Sequence, residues 1–241
     1  MLVNETRQDV SLIVLPELFS TGFVKDLATF ELLAEPLDGP TMTRLKELSL
    51  SKKAAIAGSF LCRDSHDGTL RNRAFFIDPD NIERTSFYDK HHLFPLSPEH
   101  QLFKAGREQS PLIQFREWNI ALTVCFDLRF PVWNRNVDEA SDLVLVPANW
   151  PDSRFDAWQT LVKARAIENM SAYAAVNRTG IDQYGTYSYL STFAVNERGE
   201  TISRIHGNTP IVYATFNLDQ IREFRLRFPI LKIADKFILT D

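Results

Sequence analysis

Glu17, Lys90 and Cys125 are chemically unlike, yet each lies where an apolar run gives way. Val10–Pro16 (VSLIVLP) runs into Glu17, the stretch through Ser86-Phe87-Tyr88 runs into Asp89-Lys90, and Ile120–Val124 (IALTV) runs into Cys125. A fourth run, Asp142–Pro147 (DLVLVP), leads to Asn149-Trp150. Continuous apolar runs of this length suit strands buried on both faces. In open α/β sheets ligands bind outside the carboxyl ends of the strands. A carboxylate, an ammonium and a thiol at three such ends supply a base, a cation for a developing oxyanion and a nucleophile.

Each residue taken alone has a plainer reading. Cys125 would be a small buried hydrophobe, and Glu17 a cap or surface acid. Lys90 would be a salt-bridged lysine, and Glu99, in Ser97-Pro98-Glu99-His100, a loop charge. The conjunction outweighs these. Phe126-Asp127-Leu128-Arg129-Phe130-Pro131 leaves the strand abruptly and turns toward a helix. A thiol at such a turn is exposed at the sheet edge, and a helix N-terminus lowers its pKa. The backbone N–H of Phe126 is then placed to donate to an oxyanion. Cys62 lacks comparable neighbours and reads as core. The five histidines, His66, His91, His92, His100 and His206, read as loop-packing or solvated. Their spacing fits no helical zinc pair and no acidic or thiol cluster joins them, so no metal is expected. A papain-like Cys–His dyad is the weaker reading.

These residues need a scaffold of alternating elements. Helices are expected over 39–54 and 132–140, and from a cap at Asp152 or Ser153 to Met170. The last carries Phe155, Trp158, Leu161, Val162 and Ala166 at helical spacing. Strands are expected over 10–16, 55–62, 72–78, 84–89, 118–124, 142–147, 172–177, 191–196, 201–205 and 211–217. Asp67-Gly68 and Pro79-Asp80-Asn81 read as hairpin turns. No linker, repeat or charge block divides the chain, so one α/β domain over 1–241 is expected.

Composition narrows the function. The chain has 241 residues, and 27 Lys+Arg against 31 Asp+Glu give a net charge of −4, against a phosphate-neutralising surface and so against nucleic acid as a partner. The longest uncharged stretches, Gln183–Asn196 and Ile205–Leu218, are too short and too polar to span a bilayer. MLVNETRQD has no basic segment followed by an apolar core, so no signal peptide is expected. Two distant cysteines make no disulfide framework, and a cytoplasmic setting is the expectation.

Three ordered segments carry a resemblance: Leu15-Pro16-Glu17, Tyr88-Asp89-Lys90-His91-His92-Leu93-Phe94, and Val124-Cys125-Phe126-Asp127-Leu128-Arg129-Phe130-Pro131. They resemble the nitrilase superfamily of carbon–nitrogen hydrolases. Phe19–Phe23 (FSTGF), Pro131-Val132-Trp133, Ala148–Pro151 (ANWP) and Ala164–Asn169 (ARAIEN) are similar to its bacterial omega-amidase branch. The resemblance implies a four-layer α-β-β-α sandwich, assembled into a homodimer or larger homo-oligomer. It implies that Cys125 attacks an amide carbon, that Glu17 is the general base, and that Lys90 and the Phe126 N–H hold the oxyanion. Glu99 would orient substrate and support Lys90. No cofactor is implied. The expected substrates are terminal amides of small 2-oxo acids, 2-oxoglutaramate or 2-oxosuccinamate. Other small amides or nitriles, acyl transfer, and an inactive assembly homologue are the alternatives.

Such an amidase must hold a carboxylate away from the reacting carbon, which suits an arginine fork. Arg154 is the candidate, with Trp150 as an apolar wall. Arg129 is the rival candidate, but so near the nucleophile it is expected to pair with Asp127 or another acid. Two departures from the family pattern stand out. The resemblance implies a strand and a full helix before the Leu-Pro-Glu strand, and Met1 falls within that helix, so either the true start lies upstream or the first strand is lost, and a lost strand would bare a sheet edge. The usual Gly-x-Ser before the late turn reads Leu190-Ser191-Thr192.

Overall fold

The computed structural model describes residues 2–24, 26–205 and 209–239. β1 (Leu12–Val14) is followed by α1 (Leu27–Leu33) and α2 (Pro40–Lys52). β2 (Ala55–Arg63), β3 (Leu70–Ile77) and β4 (Ser86–Asp89) join β1 in one sheet, ordered β1-β2-β3-β4. The one-turn helix α3 (Glu99–Leu102) leads to β5 (Ile113–Phe115), β6 (Trp118–Leu122) and β7 (Leu143–Ala148). Then come α4 (Phe155–Asn169), β8 (Ala172–Asn177), and a ribbon of β9 (Gly180–Asp182) and β10 (Gly185–Tyr187). β11 (Phe193–Val195) borders the second sheet, ordered β11-β8-β7-β6-β5. β12 (Arg204–Ile205) and β13 (Val212–Tyr213) form another ribbon before α5 (Leu218–Arg227).

Period-2 alternation sorts the first sheet into two faces. Ala55, Ala57, Ala74 and Phe76 face inward, where they meet Ile120, Leu122, Leu143 and Leu145 of the second sheet. Ile56, Phe60, Phe75 and Ile77 face outward onto Met42, Leu45 and Leu48 of α2. The other face of the second sheet is covered by α4 through Trp158, Val162 and Ala166, one turn apart along the helix. Helix, sheet, sheet and helix therefore stack as the expected α-β-β-α sandwich. β6, β7 and β8 run parallel, and α4 is the crossover between β7 and β8. Among the described residues, no helix is long and apolar enough to cross a membrane.

Three expectations fail, for local reasons. The helix expected over 132–140 shrinks to a 3₁₀ turn at Val137–Glu139. Asn134 spends its amide on the Asp127 and Phe130 carbonyls, and Asn136 spends its own on Ser141, Asn169 and Ser171. Asparagines that bond nearby backbone this way compete with helix. Neither Asp152 nor Ser153 caps α4. Asp152 instead accepts from Ser188 N and Ser191 Oγ, and the helix proper begins at Phe155. The strand expected over 10–16 is regular only at Leu12–Val14. β1 has β2 as its one strand partner among the described residues. A cleft of about 1500 Å³ runs beside it, lined by Ile13, Leu15, Trp118, Phe193, Val212 and Phe216.

Candidate active site

Four elements deliver the charged centre. Glu17 follows β1, and Leu18 just after it is buried in the left-handed region (φ 46°), turning the chain into the gap between the sheets. Lys90 is the residue after β4, and its backbone N–H donates to Asn72 O at 3.0 Å. Gly106 in turn donates to Lys90 O at 2.9 Å. A Cβ on Gly106 would stand 2.2 Å from Asp89 O, so only glycine lets these backbones approach. Glu99 is the first residue of α3, and its Oε2 accepts the Phe94 N–H at 2.8 Å. Cys125 opens the 3₁₀ turn Cys125–Arg129 at a left-handed φ of 45°. A non-glycine residue there carries strain, and such strain clusters at functional sites.

Glu17, Lys90 and Glu99 are all buried and in direct contact. The ammonium Nζ donates to Glu17 Oε1 at 2.8 Å and to both Glu99 oxygens at 2.8 Å. An ammonium has three protons. The two Glu99 oxygens lie too close in angle to take separate protons and share one, so Glu17 and Glu99 occupy two directions and a third remains for a substrate oxygen. Glu17 Oε2 accepts the Asn149 N–H at 2.8 Å. Burial works to lower the Lys90 pKa, but Glu17 and Glu99 more than offset it, so the ammonium is held above the ordinary lysine value. Burial pushes Glu99 up, with Lys90 opposing and Glu17 reinforcing the rise.

Burial also pushes the Cys125 thiol well up, and the Glu17 charge adds to that, while Lys90 works the other way. The expectation of a lowered thiol pKa is therefore overturned. A short 3₁₀ turn cannot outweigh complete burial beside a carboxylate. The resting group is a thiol, and it needs a base to become a nucleophile. Glu17 lies within hydrogen-bond reach to serve.

The nucleophile turn is pinned to the lysine strand through Asp127. Asp127 Oδ1 accepts the His92 N–H at 2.7 Å and meets His92 Nδ1 at 2.9 Å. Its Oδ2 accepts Tyr88 Oη–H at 2.8 Å and Val124 N–H at 3.3 Å. Trp133 Nε1 donates to that tyrosine hydroxyl at 2.9 Å. Rings stack over the network: His91 lies on Trp133 at 3.7 Å and His92 on Phe130 at 3.5 Å.

Above Cys125 lies a cavity of about 270 Å³, bounded by Glu17, Lys90, Phe126, Trp150, Arg129 and Arg154 among others. The larger cleft beside β1 includes neither Cys125 nor Lys90, so the smaller cavity is the candidate site. Phe94, Tyr184 and Tyr187 complete its walls. Burial first of all raises the Tyr187 phenol, and the Asp182 charge adds to the rise. The Arg129 guanidinium sits over the Trp150 ring at 4.9 Å, and that of Arg154 over Phe94 at 4.9 Å. Trp150 is fixed by its Nε1 donating to Arg154 O at 2.9 Å.

Residues 1–226 match the model of the carbon-nitrogen hydrolase family. The chain belongs to that family. It is 38% identical over 240 residues to omega-amidase YafV of Yersinia enterocolitica, covering 99% of this chain and 90% of that protein. It is 36% identical over 232 residues to a 2-oxoglutaramate amidase of Paenarthrobacter nicotinovorans, covering 91% of this chain and 76% of that one. A CN-hydrolase superfamily protein from Xanthomonas campestris, solved with an arsenic adduct in its active site, superposes with a TM-score of 0.88 at 34% identity. The match covers 99% of this chain and 90% of the other.

In this carbon-nitrogen hydrolase the expected residues Glu17, Lys90, Glu99, Cys125, Phe126, Trp150 and Arg154 do converge on one cavity, Glu99 doing so through Lys90. Arg129 differs from its expectation. Asp127 is already taken by Tyr88 and His92, and Arg129 faces the cavity instead. His91 and His92 are committed to packing and to Asp127, and neither lines the cavity; His206 lies outside the described residues. Asn72 and Asn149, both bonded to Glu17, were missed. Asn72 carried a legible signal, since it shares the inward parity of Ala74 and Phe76 and is the one polar residue of that set. Cys62 is buried in the outer core, and burial pushes its thiol up to about 11. Cys62→Ala is expected to leave turnover within about twofold, with stability alone altered; a steady-state assay beside a melting curve checks this.

Proposed function

We propose that this chain hydrolyses the terminal amide of small 2-oxo acid amides, such as 2-oxoglutaramate and 2-oxosuccinamate, to the 2-oxo dicarboxylate and ammonia. The observation that carries the reading is one cavity with a buried thiol, base and ammonium at its floor and two guanidiniums at its wall. Among the described residues, neither Arg129 nor Arg154 has a carboxylate partner. Two cations kept without an acid, beside an aromatic ring each, suit a substrate carboxylate. The omega-amidase and 2-oxoglutaramate amidase relatives support the same substrate class.

The chemistry follows from the contacts. Glu17 takes the Cys125 proton as Sγ attacks the amide carbon. The developing oxyanion receives the third Lys90 proton and the Phe126 N–H, an amide at the start of the 3₁₀ turn. Protonation of the nitrogen by Glu17 expels ammonia and leaves a thioester. Glu17 then deprotonates water, which attacks the thioester and restores the thiol. Glu99 is a positioning residue that fixes the ammonium. We propose further that the enzyme is cytoplasmic and that it forms a homodimer or larger homo-oligomer, the assembly being supported by exposed apolar residues Val137, Leu226, Phe228 and Ile233.

The test compares 2-oxoglutaramate with a neutral primary amide of equal chain length. Arg129→Ala and Arg154→Ala are each expected to raise KM for the charged substrate about tenfold to a hundredfold, the scale of one lost charge-assisted hydrogen bond. Neutral amide turnover should change by less than about threefold. Equal losses on both substrates contradict the carboxylate role. A wild-type preference for the neutral amide contradicts the substrate class.

A further inference from the structure

Asn72 touches all three charged members of the centre. Its Nδ2 donates to Glu17 Oε1 at 2.8 Å and to Glu99 Oε1 at 3.1 Å. Its backbone carbonyl accepts the Lys90 N–H at 3.0 Å. The side chain is buried, and its own Oδ1 finds no hydrogen-bond partner. An orphaned buried acceptor is costly, and folded proteins keep few. Turning the amide over would aim Oδ1 at two carboxylates. The orientation with both N–H groups on the acids is therefore the one the site enforces, at the expense of the oxygen.

We propose that Asn72 is a positioning residue for the reaction, holding Glu17 and Glu99 side by side on the two sides of Lys90. The inference rests on the amidase reading for its substrate, and on geometry alone for its effect on the thiol. One ammonium cannot by itself keep two carboxylates apart and aligned in a buried space. The amide is the only neutral donor that reaches both among the described residues. It contributes two hydrogen bonds and no charge, so the pair stays fixed without further neutralisation. Glu17 Oε1 is thereby saturated by Lys90 and Asn72. That leaves Oε2, which already accepts from Asn149, as the oxygen able to take the Cys125 proton.

The surroundings separate this role from general packing. The groups facing Asn72 are Glu17 after β1, Lys90 after β4, Glu99 on α3 and, beyond Glu17, Cys125 after β6. Its strand neighbours Arg71 and Arg73 leave β3 on the other face, paired with Asp64, Asp67 and Asp89. Those pairs hold the sheet edge and do not reach the acids.

The experiment uses the full chain with two variants and two readouts. Asn72→Asp keeps the shape and replaces the donor with a third acid. Asn72→Ser keeps a single donor. Both are expected to lower kcat on 2-oxoglutaramate about tenfold to a hundredfold while KM moves less than about threefold. The second readout is the rate of Cys125 alkylation by iodoacetamide against pH, which needs no amide substrate. In Asn72→Asp a third carboxylate raises the proton affinity of the group, so the acid limb of that profile is expected to move up by about one pH unit or more. A shifted limb without amide turnover in the wild type sustains this role and overturns the substrate reading. Folded variants with wild-type kcat and an unshifted limb overturn the role and leave the substrate reading intact. Should neither variant fold, the wild-type Asn72 side-chain amide decides by nuclear magnetic resonance. Two downfield, slowly exchanging protons support the bridge, and one ordinary, fast proton overturns it.

Discussion

Cys125→Ala is expected to yield a folded protein that releases no measurable ammonia, a loss of at least about 10⁴-fold in kcat. The variant deletes one sulfur from a buried turn and leaves the Lys90, Glu17 and Glu99 contacts in place. Asp127 still ties the turn to Tyr88 and His92, so the scaffold does not depend on the thiol. Alanine at a left-handed φ of 45° remains strained, which adds no new cost over cysteine. A melting midpoint within a few degrees of wild type, with activity gone, is the expected pair of measurements. Residual turnover near wild type would remove Cys125 from the chemistry. Because burial and Glu17 keep the thiol protonated, its alkylation in the free enzyme should be slow at neutral pH and rise as pH climbs.

Lys90→Met is expected to lose at least about a hundredfold in kcat, the scale of one oxyanion donor. The geometry adds a second cost. Lys90 is the cation between two buried carboxylates, and removing one partner of a buried ionic group costs about 3–5 kcal/mol. The variant should melt earlier and work poorly, so the two effects must be separated. Lys90→Arg does that. It keeps the charge and restores part of the stability, yet a planar fork cannot place one proton on each of the two acids and another on the oxyanion. Its activity is expected to stay at least about a hundredfold down. Wild-type rates in a folded Lys90→Arg would make the lysine a structural cation only.

What was legible in the chain divides by range of interaction. Buried strands such as Asp142–Pro147 and Ala172–Asn177 announced themselves because two covering layers demand unbroken apolar runs. The catalytic trio was legible because charged or nucleophilic groups at strand ends contradict the apolar pattern around them. Short capped helices were not. α1 and α5 are fixed by Asp26 accepting from Thr29 N and Asn217 from Gln220 N, local signals that carry little apolar periodicity. Arg129 was misassigned because sequence proximity to Asp127 suggested a pair, while Tyr88 and His92 arrive there from another strand. Asn72 was hidden for a similar reason. Its meaning depends on acids 55 and 27 positions away, which only the fold brings to one amide.

The most direct measurement is an acid quench of the purified protein during turnover of 2-oxoglutaramate, followed by digestion and mass spectrometry. The account predicts that the peptide bearing Cys125 gains the mass of the substrate less ammonia, that hydroxylamine removes this adduct, and that Cys125→Ala never forms it. Rapid ammonia release with an unmodified Cys125 peptide at every quench time, or the same adduct on Cys62, would contradict it.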